Sequence, residues 1–337
     1  MRSENLKNFK VSYVDARIKK DTLYKMGILL FSFFYAFFLA NLPVDAFVDR
    51  DNYLIYAEQA KYLLGLNFSS GLLRLIFNEP IWLLINIFLS TFLNPENVVR
   101  FIIFFSSFCV SYFALNYSKR NFLLLLIILF LPQVLKNHII HLRQGLALSF
   151  FLIGWFSEKK YKKNIFFLMS AFIHSSFLFV LAFIFIDKIV STLKVDIYIK
   201  SIICFLAAIT LLLLMGIIAS MLGARQAEEV VPVFGQISGL GFLFWLVMMI
   251  LFLLQKEFVV AKQSFIILCI IVYLTTYFFT PYTARIFEST MLLILMAGTY
   301  FTKELKIFFI ILVGIYFLGQ WYPLLDLPKF GWGIENF

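Results

Sequence analysis

Apolar runs long enough to cross a bilayer recur along almost the entire chain, which leaves no stretch for a soluble catalytic module. Eleven hydrophobic runs, long and short, can be traced: Met26 to Leu42, Glu79 to Leu93, Val99 to Tyr117, Asn121 to Leu135, Leu142 to Phe156, Asn164 to Ile186, Ser201 to Leu222, Ile237 to Leu254, Ser264 to Thr280, Ile286 to Phe301 and Ile307 to Trp321. With 62% hydrophobic residues, 14% charged and 44 phenylalanines, the composition is far from a soluble globular average. The fold class is therefore all-α, a polytopic transmembrane helical bundle, and any chemistry sits in the membrane or in short loops.

Charge sets the orientation. Residues 1–25 carry seven Lys or Arg against three acids, with no cleavage-like site, and read as a basic cytoplasmic tail. The integral domain is expected over 26–321, with an outer loop over 43–78 and a C-terminal tail over 322–337. The cluster Lys159, Lys160, Lys162 and Lys163 belongs inside, which puts Arg143 outside. If every run crossed, three spans would separate that arginine from the outer loop, a parity that cannot hold. One run before Arg143 should therefore turn back, and Lys188, Lys194, Lys256, Lys262, Lys303 and Lys306 sit best inside only if Asn164 to Ile186 turns back too, giving about nine to eleven membrane segments with re-entrant hairpins. The short run after Glu79 and the one broken at His174, Ser175 and Ser176 fit best, because irregular backbone at membrane depth is tolerated where it lines a cavity.

Several function classes drop out. The cysteines Cys109, Cys204 and Cys269 lie apart inside apolar runs and imply no disulfide framework. Three histidines with no cysteine near them give no zinc pattern, so no metal and no cofactor is expected. The net charge of +10 is explained by cytoplasmic retention of loops, so nucleic acid is not an expected partner.

Asn137 to Ser149, NHIIHLRQGLALS, is the expected working centre. An arginine at mid-bilayer costs roughly 2.5–3.5 kcal/mol on insertion scales, so Arg143 at a membrane edge should face a cavity or a partner. On the orientation above, Asp49, Asp51, Glu79, His141, Arg143, His174, Arg225 and Arg285 all collect on the outer side. Each has a bland reading as well. Arg225 and Arg285 can be loop charges, Glu288 three residues after Arg285 can form a structural ion pair with it, and His174 can be satisfied by its serine neighbours.

On these residues the chain resembles the EpsG-like family of exopolysaccharide proteins, relatives of the Wzy class of O-antigen and capsule polymerases. The resemblance is carried by Asp51-Asn52-Tyr53 with Tyr56, Glu79-Pro80, Arg143-Gln144-Gly145-Leu146-Ala147, Ala171 to Ser176, and Ala284-Arg285 beside Tyr282. It departs at Val48-Asp49-Arg50, where relatives often have a glycine before the aspartate. It implies a GT-C-like bundle in a bacterial inner membrane, crossing many times. The implied glycosyltransferase moves a growing glycan from undecaprenyl diphosphate to a new lipid-linked repeat unit, in contact with membrane lipid and alongside chain-length regulator and flippase proteins.

Residue chemistry agrees with that task. Arginines answer a diphosphate with bidentate contacts, so Arg143, Arg225 and Arg285 are the candidates for binding it. The acceptor hydroxyl must lose a proton, for which His174, Glu79, Asp51 and His141 are the candidate bases. Gln144, Tyr53 and Asp49 are expected to touch substrate. Two other classes use the same shell: a flippase or transporter for the lipid-linked oligosaccharide, and a glycosyltransferase using a lipid-phosphate sugar. Hydropathy shows no matching halves of the kind many transporters carry.

The topology is open to a direct check. Residues 49–79, 137–143, 223–236 and 281–285 are expected on one aqueous face, opposite 159–163. An impermeant thiol reagent applied from outside should label a cysteine at position 228 and spare one at position 160; the reverse pattern removes the orientation.

Overall fold

The computed structural model describes residues 2–192, 199, 201–203, 205–207, 209–210, 239–255, 264–278 and 282–334, with side chains for all of these except 2–20, 282 and 283. Within them the chain is all-α: fourteen α-helices and, among the described residues, no strand. They are α1 (Arg2–Ala40), α2 (Arg50–Ser69), α3 (Leu72–Phe77), α4 (Pro80–Leu89), α5 (Pro95–Asn116), α6 (Phe122–Leu129) and α7 (Pro132–Ile139). There follow α8 (Leu142–Trp155), α9 (Lys160–Ile173), α10 (Ser176–Thr192), α11 (Leu240–Leu253), α12 (Ser264–Thr276), α13 (Tyr282–Gly298) and α14 (Lys303–Trp321). Arg225 and most of the run Ser201 to Leu222 lie outside the described residues.

The helices are shorter than the apolar runs suggest. Among the described residues only Asp21–Ala40, Pro95–Asn116 and Lys303–Leu324 are long and apolar enough to cross a membrane. A fourth span is counted if Lys119–Leu129 and Pro132–Ile139, bent by 66°, act together. Polar and proline pivots cause the difference. Pro132 starts α7 where its missing N–H costs no hydrogen bond, and the chain turns at Leu131. Glu79 and Pro80 open α4 in the same way. With ten residues, at about 1.5 Å each, α4 reaches roughly half of a ~30 Å hydrocarbon core. The run expected to break at His174 does so, with α9 ending at Ile173 and α10 starting at Ser176.

Packing follows membrane rules, with small and weakly polar residues between helices and large apolar ones outward. On α5, which packs against α1, α2 and α8, the buried set includes Ser106, Ser107, Ser111 and Ala114. The serine hydroxyls bond back along the helix, as Ser107 Oγ does to the Ile103 carbonyl at 2.5 Å, so none needs water. On α1, Ser32 and Ala36 are fully buried while Phe34 and Phe38 are exposed. The exposed phenylalanines suit lipid contact and the buried serines allow close helix approach.

Two expected irregular segments have more structure than polarity suggested. The outer loop 43–78 contains α2 and α3, and α2 packs on α4 and α5. The stretch expected as a C-terminal tail folds back, with Gly333 bridged to Phe47 and the Val48 N–H donating to the Trp332 carbonyl at 3.0 Å. Trp332 is buried there, beside Trp321 and Phe330.

One glycine controls how α8 meets α7. A Cβ at Gly145 would collide with the backbone carbonyl of Asn137 and crowd His138 Nδ1. The atoms it would strike, those of the Asn137 carbonyl, are backbone and cannot rotate away. Gly145→Ala should therefore force α7 and α8 apart at a cost of about 1–3 kcal/mol. Thermal unfolding in detergent should show a clearly lowered midpoint, and an unchanged one contradicts this packing.

Candidate functional site

Glu79 sits in the loop ahead of α4 with φ 58° and ψ 56°, a left-handed conformation that a side chain before proline rarely adopts. Such backbone costs of order 1–3 kcal/mol and persists only where its surroundings demand it. Here the carboxylate provides the demand. It is buried, and Oε2 accepts from Arg143 Nη1 at 2.5 Å. Oε1 accepts from His174 Nδ1 at 2.6 Å and from the Ser175 backbone N–H at 3.2 Å. Loop, α8 and the α9–α10 break are thus joined through one side chain. Burial by itself would raise the Glu79 pKa, but Arg143, then His174 and the Ser175 N–H, outweigh it and hold the carboxyl down at about 2.

An ionised carboxylate only accepts hydrogen bonds, so the short contact assigns the proton to His174 Nδ1 and leaves Nε2 as the ring's acceptor. Among the described residues Nε2 has no hydrogen-bond partner. The Arg143 guanidinium lies over the Tyr56 ring, 5.4 Å from its centroid, and its Nε–H is buried without a partner. Tyr53 and Tyr56 meet Trp82 edge to face at 5.7 and 6.0 Å, which fixes the wall beside the arginine.

Above this carboxylate opens a cavity of about 500 Å³. Of the residues expected at a site, Asp49, Tyr53, Glu79, Arg143, His174 and Arg285 line it. Asp49 caps α2 in a left-handed conformation of its own, φ 65°, with Oδ1 accepting from Asn52 at 3.4 Å. Three other expected residues are not among the lining. Asp51 is exposed two positions further along, so the helix turns it elsewhere. Gln144 is buried, and its amide donates to the Arg285 carbonyl at 2.9 Å and to Ser289 Oγ at 3.0 Å, tying α8 to α13. Ser289 in turn meets Ser176 at 2.8 Å, which brings α10 into the same joint. Gln144 therefore serves the frame beneath the cavity.

His141 stands in a second polar group. Glu288 is held by Lys136 at 2.6 Å, and His141 Nδ1 is 3.9 Å from its other oxygen. His138 is fully buried against Ser106 at 3.2 Å, a packed core histidine. The helix that carries His138 ends at Ile139, before His141 is reached.

Sequence reasoning missed Asn52, Arg74, Asn78 and Trp82, all of which line the cavity. Arg74 had a signal: it is the one charge in the apolar stretch Leu72–Phe77. Trp82 had none, since a tryptophan at the start of an apolar run looks like any interfacial anchor. Among the described residues no three of His, Cys, Asp or Glu form a metal-ligand cluster.

Residues 26–333 match the family model described as EpsG family. The chain belongs to the EpsG family. This is a Wzy-like polymerase family, so membership supports a polysaccharide-polymerase-like, glycosyltransferase-like function in a membrane protein. The chain matches no curated protein and no solved structure.

The ionised Glu79 makes this EpsG-family chain acid-sensitive in a defined window. Its pKa is lowered on folding, so its stabilisation is complete above the ordinary carboxylate range and is lost as pH falls from about 4.5 towards 2. Unfolding midpoints of wild type should fall across that window more steeply than those of Glu79→Gln; parallel curves refute the ion-paired state.

Proposed function

We propose that this chain is a Wzy-type polymerase of a bacterial inner membrane, which transfers a glycan from undecaprenyl diphosphate onto a new lipid-linked repeat unit. The observation that carries the reading is one buried carboxylate holding an arginine and a histidine at the floor of one cavity. Chemistry with a diphosphate leaving group needs both. The acceptor hydroxyl attacks the anomeric carbon, and its proton passes to His174 Nε2. A new C–O bond forms as the C–O bond to the diphosphate breaks, and the electron pair leaves on the diphosphate oxygen. Arg143 spends one N–H on Glu79 and offers the rest of its fork to that developing charge, with Arg285 beside it.

His174 is the base favoured among the four candidates. Glu79 has both oxygens engaged and binds a proton only at about pH 2, which makes it a weak base and a good orienter of the imidazole. Asp51 and His141 lie outside the cavity lining. Tyr56, half-buried and held edge to face by the buried Trp82, is the aromatic ring of the lining on which a sugar can stack.

Purified protein supplied with a lipid-linked repeat unit should form long chains. Arg143→Ala should abolish them with the protein still in the membrane, and Arg143→Lys should fail nearly as badly, because lysine lacks the planar fork. If lysine restores long chains, the bidentate role is wrong.

His174→Gln separates chemistry from binding. Glutamine keeps a hydrogen bond but takes up no proton, so transfer should slow by about a hundred-fold or more with donor affinity little changed. Wild-type rates would remove His174 from the reaction. In the host, gene deletion should leave surface polysaccharide as single repeat units; their complete loss points to a flippase.

A further inference from the structure

The helix α3, LLRLIF, puts one basic residue among five apolar ones at the edge of the cavity. Arg74 lines the cavity with Arg143 and Arg285, yet it has no side-chain hydrogen bond or ion pair among the described residues. Its neighbours Leu72 and Leu73 are 69% and 60% exposed. Leu66 on α2 is 42% exposed and also lines the cavity, so it stands at the mouth. Arg74 and Leu66 are both exposed, whereas Glu79 is buried, so the lining runs from an open edge at α2 and α3 to the paired carboxylate. An unpaired guanidinium beside exposed leucines is a poor design for a face in water and an equally poor one for a face wholly in lipid. It suits a boundary that an amphiphile crosses, the anionic head moving inward and the tail staying outside.

We propose that α3 forms the membrane-side entrance of the cavity, where Leu72 and Leu73 lie against the bilayer and Arg74 first receives the diphosphate of a polyisoprenyl carrier. The proposal rests on the reading above that the donor is a lipid diphosphate. Gly71, with φ 111°, permits the turn that presents α3 in this way after α2. A diphosphate free in water would use Arg74 with no need of the leucines, so lipid and free anion can be told apart.

The test is binding to the full-length protein in nanodiscs, with a polyisoprenyl diphosphate as one probe and inorganic diphosphate as the other. Both leucines are exposed, so the pair Leu72→Asn with Leu73→Asn threatens no core. That pair should weaken the lipid probe several-fold and leave inorganic diphosphate unchanged. Arg74→Gln should weaken both about ten-fold, the loss expected for one charge-assisted contact, and Arg74→Lys should recover part of it. The entrance is refuted if the asparagine pair leaves the lipid probe unchanged or weakens both probes equally, or if Arg74→Gln changes neither. Failure of the lipid probe to bind wild type overturns the donor reading and the entrance together. Binding that responds as expected, with no polymer formed when the same nanodiscs are supplied with a lipid-linked repeat unit, removes the polymerase reading and leaves the entrance standing.

Discussion

A carboxylate buried at the edge of a membrane domain must be neutralised or paired, and the way Glu79 is paired organises the rest of the site. Its two oxygens take a guanidinium from α8 and, from the break between α9 and α10, an imidazole N–H and a backbone N–H, so two distant parts of the chain meet at one side chain. Losing any one would leave charge exposed to a poorly solvating interior, where an unpaired ion costs several kcal/mol. The left-handed backbone at Glu79 is sustained by the same contacts. Strain and pairing therefore stand or fall together, and the histidine's tautomer is a by-product of the arrangement.

Beneath the carboxylate lies a frame of small and amide side chains. Gly145 lets α8 approach the carbonyl of Asn137, and Gln144 and Ser289 join α8 to α13, with Ser176 extending the joint to α10. Arg143 immediately precedes the pair Gln144 and Gly145. The segment Arg143-Gln144-Gly145 thus divides its work by helix geometry: successive residues point about 100° apart, so one faces the cavity, one the α13 contact and one the α7 backbone. Breaks at His174 and Glu79 are needed for the same purpose. A continuous helix would have buried those groups' backbone and aimed their side chains along its own surface, away from the shared centre.

Much of the site could be read from residue type, because charge in an apolar chain is rare enough to be informative. Arg143, Glu79, His174, Arg285, Asp49 and Tyr53 were expected together and line one cavity. Asp51 and Gln144 misled for a geometric reason. Both lie next to a residue that does reach the cavity, and on a helix a neighbour in sequence faces elsewhere. His141 misled because it lies beside a second polar group, Lys136 with Glu288, and outside the cavity lining. Arg74 went unnoticed because a lone arginine in a loop looks like any solvated charge until its neighbours are seen to face outward.

The sequence by itself determined that the chain is a helical membrane protein of the EpsG family with its polar residues gathered at a few pivots, since apolar periodicity and scarcity of charge are local properties. Local properties do not reveal which pivots meet. Only the tertiary structure decided that Glu79 lies between Arg143 and His174, residues 64 and 95 positions away, because hydrogen bonds over 2.5–2.6 Å depend on how helices from distant runs pack. It also decided how long the helices are. An apolar run reports where chain is compatible with lipid, whereas a helix ends where a proline, a strained carboxylate or a histidine finds a better partner than the next backbone turn.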